Sequence, residues 1–268
     1  MCRTILEKAL KGVFHGAYSC HNWGRFRNWE GYGGVSRSTR LAANPGGFER
    51  GDVKADLATS QGREAFVQGV TALVGDRLDA VIACAGVAVP TPLTLKVNYF
   101  GAIATLEGMR PLLAKGTLPR AVGISSFASI MQPDAELVEA CLSGDEAAAL
   151  RIAESKEPGV YYASSKAAFA RWIRRQAITT DWVRTGILLN GIAPGIVVTP
   201  MTQPMLDDKA RRTQLEQQVP MPIGRDGRPE EIAELLLWLA SPANSMMVGQ
   251  VIFLDGGAEA TVRGDTLW

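Results

Sequence analysis

The chain has 268 residues, 47% of them hydrophobic, and a formal net charge of +1; this is enough apolar material for one α/β core, and the near-neutral charge gives no electrostatic footprint for nucleic acid. No run of 18 apolar residues occurs, and Met1 to Ser19 lacks the uninterrupted apolar stretch of a signal peptide, so a cytoplasmic chain with no membrane partner is expected. Cys2, Cys20, Cys84 and Cys141 are scattered, and His15 and His21 do not complete a zinc set with them, so reduced thiols and no metal are expected.

Residues 1–51 show no clear strand or helix period. The stretch from Cys20 to Gly33 contains His21 together with Trp23 and Trp29 in an aperiodic mixture. From residue 52 onward strands and helices alternate, the pattern of a parallel sheet covered on both faces. Residues 61–75 predict a helix with Phe66, Val67, Val70 and Leu73 on one side. Residues 78–83 predict a short buried strand, 99–113 a helix and 121–125 the next strand. Residues 135–153 predict two short amphipathic helices broken at Ser143-Gly144, and 162–179 a longer helix. A strand over 185–192, a helix over 229–240 opened by Pro229, Glu230 and Glu231, and a strand over 250–254 complete the pass. Met201 to Pro222, rich in Met, Gln and charge, suits a substrate lid in which Met201, Met205 and Leu206 supply an adaptable apolar surface, or an ordinary exposed helix. Right-handed crossovers between these elements build a doubly wound, Rossmann-like sheet in a single domain, with its ligand crevice at the C-terminal ends of the strands.

The chemistry concentrates at Tyr162-Ala163-Ser164-Ser165-Lys166. Residues four apart share a helix face, so Lys166 can hold its charge near the Tyr162 oxygen and favour the phenolate. An unperturbed Tyr titrates near pH 10, and a useful base needs the anion stabilised by roughly 3 to 4 kcal/mol. Other signals stand in order around this pair: Cys84-Ala85-Gly86 closing an apolar run, Asn98 in Val97-Asn98-Tyr99-Phe100-Gly101, Ser126 after a strand, Asn190 to Gly195, Thr199-Pro200, and Leu254-Asp255-Gly256-Gly257.

Together these residues resemble the short-chain dehydrogenase/reductase family, from about residue 52 to the end. The resemblance implies an NAD(P)-dependent oxidoreductase that interconverts a secondary alcohol and a ketone. Tyr162 is then the general acid/base, Lys166 lowers its pKa and holds the nicotinamide ribose, Ser126 donates a hydrogen bond to the substrate oxygen, and Asn98 holds a water that links Lys166 to solvent. Ser125, Ser129, Ser164, Ser165 and Tyr161 are weaker candidates. For the cofactor, Asp56 and Leu57 meet the adenine, Ala85 and Gly86 pass the adenosine ribose, and Pro194, Gly195 and Thr199 run under the nicotinamide. Two residues have bland readings beside these: Asp56 as a helix cap and Ser126 as a strand-end turn residue. Cys84 stands where many family members carry Asn. NAD is expected by resemblance, with NADP open, and a homo-oligomer, first of all a dimer, acting on a small molecule.

The stretch between Ser126 and Tyr162 is longer than is common in the family. With the Val97–Gly101 block and Asp255-Gly256-Gly257, it resembles the bacterial 3α-hydroxysteroid dehydrogenase/carbonyl reductase group, which implies a steroid alcohol or xenobiotic ketone. Beside the catalytic helix, the insertion should border the substrate pocket or cover the helix face that many relatives use for dimerisation.

The family also opens with Thr-Gly-x-x-x-Gly-x-Gly, whose glycines let the backbone approach the cofactor pyrophosphate, and residues 1–51 contain no such motif. Reading the codons from Cys20 one base later offers an explanation. Trp23-Gly24 and Trp29-Glu30 must then each give Gly, at the spacing of the outer glycines of the motif, and Asn22-Trp23 allows only Ile or Thr. One permitted translation runs Val-Ile-Thr-Gly-Ala-Ala-Ser-Gly-Ile-Gly-Lys, and His15-Gly16 can hide a start codon. Residues 1–51 are therefore expected to be an anomalous segment, a frameshifted translation of the first βαβ unit, ahead of the reductase domain at 52–268. The alternative is a genuine divergent N-terminus on a catalytically silent, reductase-like binding protein.

Overall fold

Thr59 starts the first helix: its hydroxyl accepts the Gly62 N–H at 3.0 Å, which satisfies one of the free donors at a helix N-terminus. The computed structural model describes residues 53–266. The anomalous segment, with His15, His21, Cys2 and Cys20, lies outside them. Helix α1 (Ser60–Val74) buries Arg63, Phe66 and Val70. Leu73, expected on the same side, is 48% exposed, because the buried stripe follows positions 63, 66 and 70 and has turned away from it.

Strand β1 (Ala80–Ala83) is followed by helix α2 (Leu93–Leu95), a π-helical turn (Lys96–Gly101) and helix α3 (Ala102–Leu113). The helix expected from residue 99 thus begins earlier and is widened where Asn98 sits. Strand β2 (Arg120–Ile124) runs into a 3-10 turn (Phe127–Ile130). Next come α4 (Ala135–Leu142), α5 (Glu146–Glu154) and the long α6 (Val160–Ala177). Strand β3 (Leu188–Pro194) starts later than expected, because Val183–Thr185 forms a 3-10 turn ended by Gly186 at φ +84°. Helices α7 (Gln203–Leu206), α8 (Lys209–Gln218) and α9 (Pro229–Leu239), strand β4 (Val251–Leu254) and helix α10 (Ala258–Arg263) complete the described chain. No helix among the described residues is long and apolar enough to cross a membrane.

The described strands form one parallel sheet in the order β1-β2-β3-β4. Alternate residues point to opposite faces. Ala121 and Leu189 join the core beneath α1, α3 and α6, whereas Val122 and Ile192 pack against Ile232, Leu236 and Leu239 of α9. Helix α6 lies close on the sheet because two strand positions are glycine. A Cβ at Gly123 would come within 2.5 Å of Phe169 Cζ, and one at Gly191 within 2.8 Å of Ile173 Cδ1.

The insertion forms two helices, as its pattern predicts. Asp134 caps α4 through the Leu137 N–H at 2.8 Å, and Asp145 caps α5 through the Ala148 N–H at 2.9 Å. Gly144 turns the chain between them at φ +80°. Leu137, Val138, Cys141, Ala149 and Ala153 are buried in the same core as α3 and α6, and Glu139 pairs with Arg171 of α6 at 2.7 Å. Glu146 pairs with the buried Arg63 of α1. The insertion thus packs over α6.

Candidate active site

The residues singled out in sequence occupy one end of the sheet. Ala85 and Gly86 follow β1, Ser126 follows β2, Pro194 closes β3 with Gly195 and Thr199 beyond it, and Tyr162 and Lys166 stand on the first turns of α6. In an open parallel sheet this is where a ligand crevice forms.

Lys166 is 4% exposed. Its Nζ donates to the Ile124 carbonyl at 2.7 Å and lies 5.9 Å from the centre of the Tyr162 ring. Burial without a carboxylate beside it pulls its pKa down from 10.5 to about 8, while the neighbouring Cys84 works in the opposite direction. Burial likewise pushes the Cys84 thiol up to about 11, against the pull of Lys166. Burial raises the Tyr162 phenol, and a hydrogen bond with the Ser126 side chain partly offsets this. The lowering expected from Lys166 does not appear in the chain by itself. The Lys166 ammonium is directed at Ile124 O across the face of the Tyr162 ring, and its charged form is itself disfavoured by burial.

Ser126 combines its bland and its functional placement. Its oxygen accepts the Ala128 N–H at 3.2 Å, capping the 3-10 turn, while its hydroxyl also hydrogen-bonds the Tyr162 side chain. Asn98, 1% exposed, is clamped: the Val87 N–H donates to Oδ1 at 2.8 Å, Nδ2 donates to Val87 O at 2.9 Å and to Ser165 Oγ at 3.3 Å. Asn98 therefore braces the segment after β1 against the catalytic helix. A π-helical turn is a recurrent device at functional sites, and here it is the turn that carries this side chain.

The weaker candidates have structural duties. Ser125 Oγ donates to Lys166 O at 2.9 Å, and Ser164 Oγ accepts the Asp134 N–H at 3.0 Å. Ser165 Oγ donates to Tyr162 O at 2.8 Å, joining the Asn98 clamp to the Tyr162 turn. Tyr161 is turned away, its hydroxyl donating to Ala153 O at 2.9 Å.

Two glycines let the chain pass close to its neighbours at this end of the sheet. A Cβ at Gly86 would lie 3.3 Å from Asn98 Oδ1 and 3.6 Å from Lys166 Nζ, and one at Gly195 would lie 2.9 Å from Asp255 Cα. Asp56 is exposed, and its carboxylate accepts the Ala58 N–H at 2.9 Å, while Thr59 takes the helix cap. Leu57 is buried against Gly101, where an added Cβ would come within 3.0 Å of Leu57 Cβ. Thr199 bonds with Thr202, through its N–H at 2.9 Å and between hydroxyls at 3.1 Å. Sequence reasoning missed Val87, which acts through backbone alone, and Met221 in the segment 201–222, whose sulfur accepts the Ile196 N–H with no distinguishing pattern around it.

Fold and polar set define a class: the chain belongs to the short-chain dehydrogenase/reductase family. Residues 34–259 match the family described as enoyl-(acyl carrier protein) reductase. Among individual proteins, the chain is 35% identical over 245 residues to 3-alpha-hydroxysteroid dehydrogenase/carbonyl reductase from Comamonas testosteroni, covering 86% of this chain and 94% of that one. The structure of 3-alpha-hydroxysteroid dehydrogenase from Pseudomonas sp. B-0831 complexed with NADH superimposes with a TM-score of 0.74 at 39% identity, covering 81% of this chain and 86% of the other. The Pseudomonas aeruginosa RhlG/NADP complex matches at a TM-score of 0.60 and 26% identity, over 77% of this chain and 75% of that one. The family and these relatives make the chain an NAD(P)-dependent oxidoreductase.

Proposed function

We propose that the protein interconverts a secondary alcohol and a ketone, with NAD preferred and a 3α-hydroxysteroid or xenobiotic carbonyl as its substrate. The observation that carries this reading is the meeting of the Ser126 hydroxyl and the Tyr162 phenol at one strand end, with the buried Lys166 ammonium one helical turn away facing Gly86. Support for the substrate class and for NAD comes from the two hydroxysteroid relatives, one of them bound to NADH.

The residues fit a dinucleotide. Lys166 uses one of its three donors on Ile124 O, so others remain for ribose hydroxyls. Gly86 brings the backbone beside Lys166, and Gly195 packs directly on Asp255, positions where a side chain would push the chain away. Asp56 and Leu57 would meet the adenine, and Pro194 and Thr199 the nicotinamide side. When bound, the nicotinamide supplies or accepts the hydride. In the reducing direction Tyr162 gives its proton to the substrate oxygen, and Ser126, its own oxygen engaged by Ala128, donates a hydrogen bond to the same atom. Lys166 stabilises the phenolate left behind, and Asn98 keeps Gly86 and the Lys166 turn in register while holding the water that reconnects Lys166 to solvent. A homodimer in the cytoplasm completes the reading.

Within residues 1–51 the chain is proposed to carry an out-of-frame translation of the first βαβ unit, with the frame regained before Asp52; the family match begins at residue 34, which limits the out-of-frame part to the residues ahead of it. Fluorescence titration with NADH and NADPH of two purified chains, the sequence as written and the sequence with the frame restored, tests both proposals. Binding by the restored chain alone, followed by turnover of a 3α-hydroxysteroid, is expected. Binding by neither chain overturns the oxidoreductase reading in favour of a silent binding protein, and an intact frame on resequencing codons 15–51 overturns the frameshift.

A further inference from the structure

The segment 201–222 is tied at both ends to four consecutive residues, Ile196 to Thr199, and the two ties differ in strength. At the N-terminal end Thr202 Oγ1 donates to Val197 O at 2.5 Å and accepts the Thr199 N–H at 2.9 Å. At the C-terminal end the link to this segment is a sulfur: the Ile196 N–H donates to Met221 Sδ at 3.3 Å. A thioether is a weak acceptor. Ile196 is 4% exposed and packs with Leu206 and Val219, so its N–H is shielded from water while the segment is closed. Its carbonyl is already used by the Gly227 N–H at 2.8 Å.

Beyond Met221 the chain docks on the Asp255-Gly256-Gly257 turn. The Ile223 N–H donates to Gly256 O at 3.1 Å, and a Cβ at Gly256 would come within 2.4 Å of Ile223 Cγ2 and 3.0 Å of Met221 Cε. Met221 thus sits where three segments meet: the run after β3, the end of the lid, and the turn after β4. Around it, Leu206 and Val219 of the lid are buried with Phe127, Ile196 and Ala258, so the lid's apolar side is closed onto Phe127, the residue next to Ser126, and onto the runs after β3 and β4.

We infer that Met221 is a positioning residue, the releasable latch of this lid, and that Thr202 is its fixed hinge. The lid opens at its Met221 end, and the strength of the contact between the Ile196 N–H and the sulfur sets how tightly substrate is held. The inference rests on the reductase reading for its effect on substrate, and on the geometry alone for the motion.

The test takes as its parent the full chain with its reading frame restored, the form expected to bind NADH, and uses two variants of it. Met221→Leu keeps an apolar side chain of similar size but removes the acceptor, and Met221→Gln keeps the reach with a stronger one. Two readouts need no turnover: hydrogen–deuterium exchange of the Ile196 amide, and trypsin cleavage at the exposed Lys209 and Arg211 of α8. Loss of one net hydrogen bond predicts that both quicken by about fivefold in Met221→Leu, with NADH affinity unchanged and the melting midpoint lowered by no more than about 4 °C. KM for the ketone rises by a similar factor at constant kcat, and Met221→Gln slows exchange and cleavage below the parent. Unchanged exchange and cleavage in both variants overturn the latch, as does quickening in Thr202→Val alone. Absence of ketone turnover in the parent chain overturns the reductase reading and leaves the exchange and cleavage result to decide the latch.

Discussion

Tyr161 and Tyr162 are the same side chain one residue apart, and the helix sends them in directions that give them opposite duties. Tyr161 donates to Ala153 O at 2.9 Å and reaches Lys156 O at 3.3 Å, holding the insertion to α6. Tyr162 faces Ser126. Tyr162→Phe is expected to lower kcat/KM by about 10²- to 10⁴-fold, with little change in the urea midpoint. Tyr161→Phe is expected to cost about 1 kcal/mol of stability and leave kcat intact; steady-state kinetics and denaturation on the same two proteins read both. Lys166 carries a pH signature. Its pKa falls from 10.5 in the open chain to about 8 in the fold, so between these values the unfolded chain holds a proton that the native one has lost. Stability from this group therefore rises as pH climbs through that window, by at most about 3 kcal/mol. Cys84, with its thiol raised to about 11, opposes the trend over the upper part of the range. The expected observation is thus a difference: urea midpoints at pH 8, 9 and 10 should gain in the parent relative to Lys166→Met.

At the scale of elements, the contact between the catalytic helix and the sheet depends on side chains that are missing. Gly123 of β2 and Gly191 of β3 lie under Phe169 and Ile173. Gly123→Ala puts a methyl where the Phe169 ring already is, and the expected cost is about 1–3 kcal/mol in urea denaturation, with kcat falling as Tyr162 is carried off Ser126. A variant with full stability and activity would show that α6 yields at no cost. The insertion was legible in sequence down to its break, because two amphipathic stretches around Ser143-Gly144 with aspartates ahead of each are local signals. The π-helical turn was not legible. The sequence starts an ordinary helix only at Tyr99, and the widened turn over Lys96 to Gly101 is tied to Asn98 reaching Val87 and Ser165, contacts with residues distant in the chain. The late start of β3 escaped for a milder reason: Val183–Thr185 has strand-like composition, and only the Gly186 turn at φ +84° shows that the strand begins beyond it.

At the scale of the molecule, restoring the first βαβ unit predicts a steeper denaturant dependence than that of the chain as written, because a larger folded body exposes more surface on unfolding. NADH at about 100 times its Kd should then raise the stability of the restored chain alone by about 2.7 kcal/mol. Equal behaviour of the two chains in a urea titration with and without NADH would count against the frameshift. By itself the sequence determined the family, the parallel α/β class and the polar set Asn98, Ser126, Tyr162 and Lys166, because these depend on spacing along the chain: four residues bring a phenol and an ammonium to one helix face, and alternation assigns strands to a sheet. The tertiary structure alone decided what those groups are like once assembled. The lowered Lys166, the raised Tyr162, the double-sided clamp on Asn98 and the sulfur held by Ile196 arise from burial and from contacts between residues far apart in the chain. Desolvation depends on every neighbour that closes over a group, and no local pattern records it.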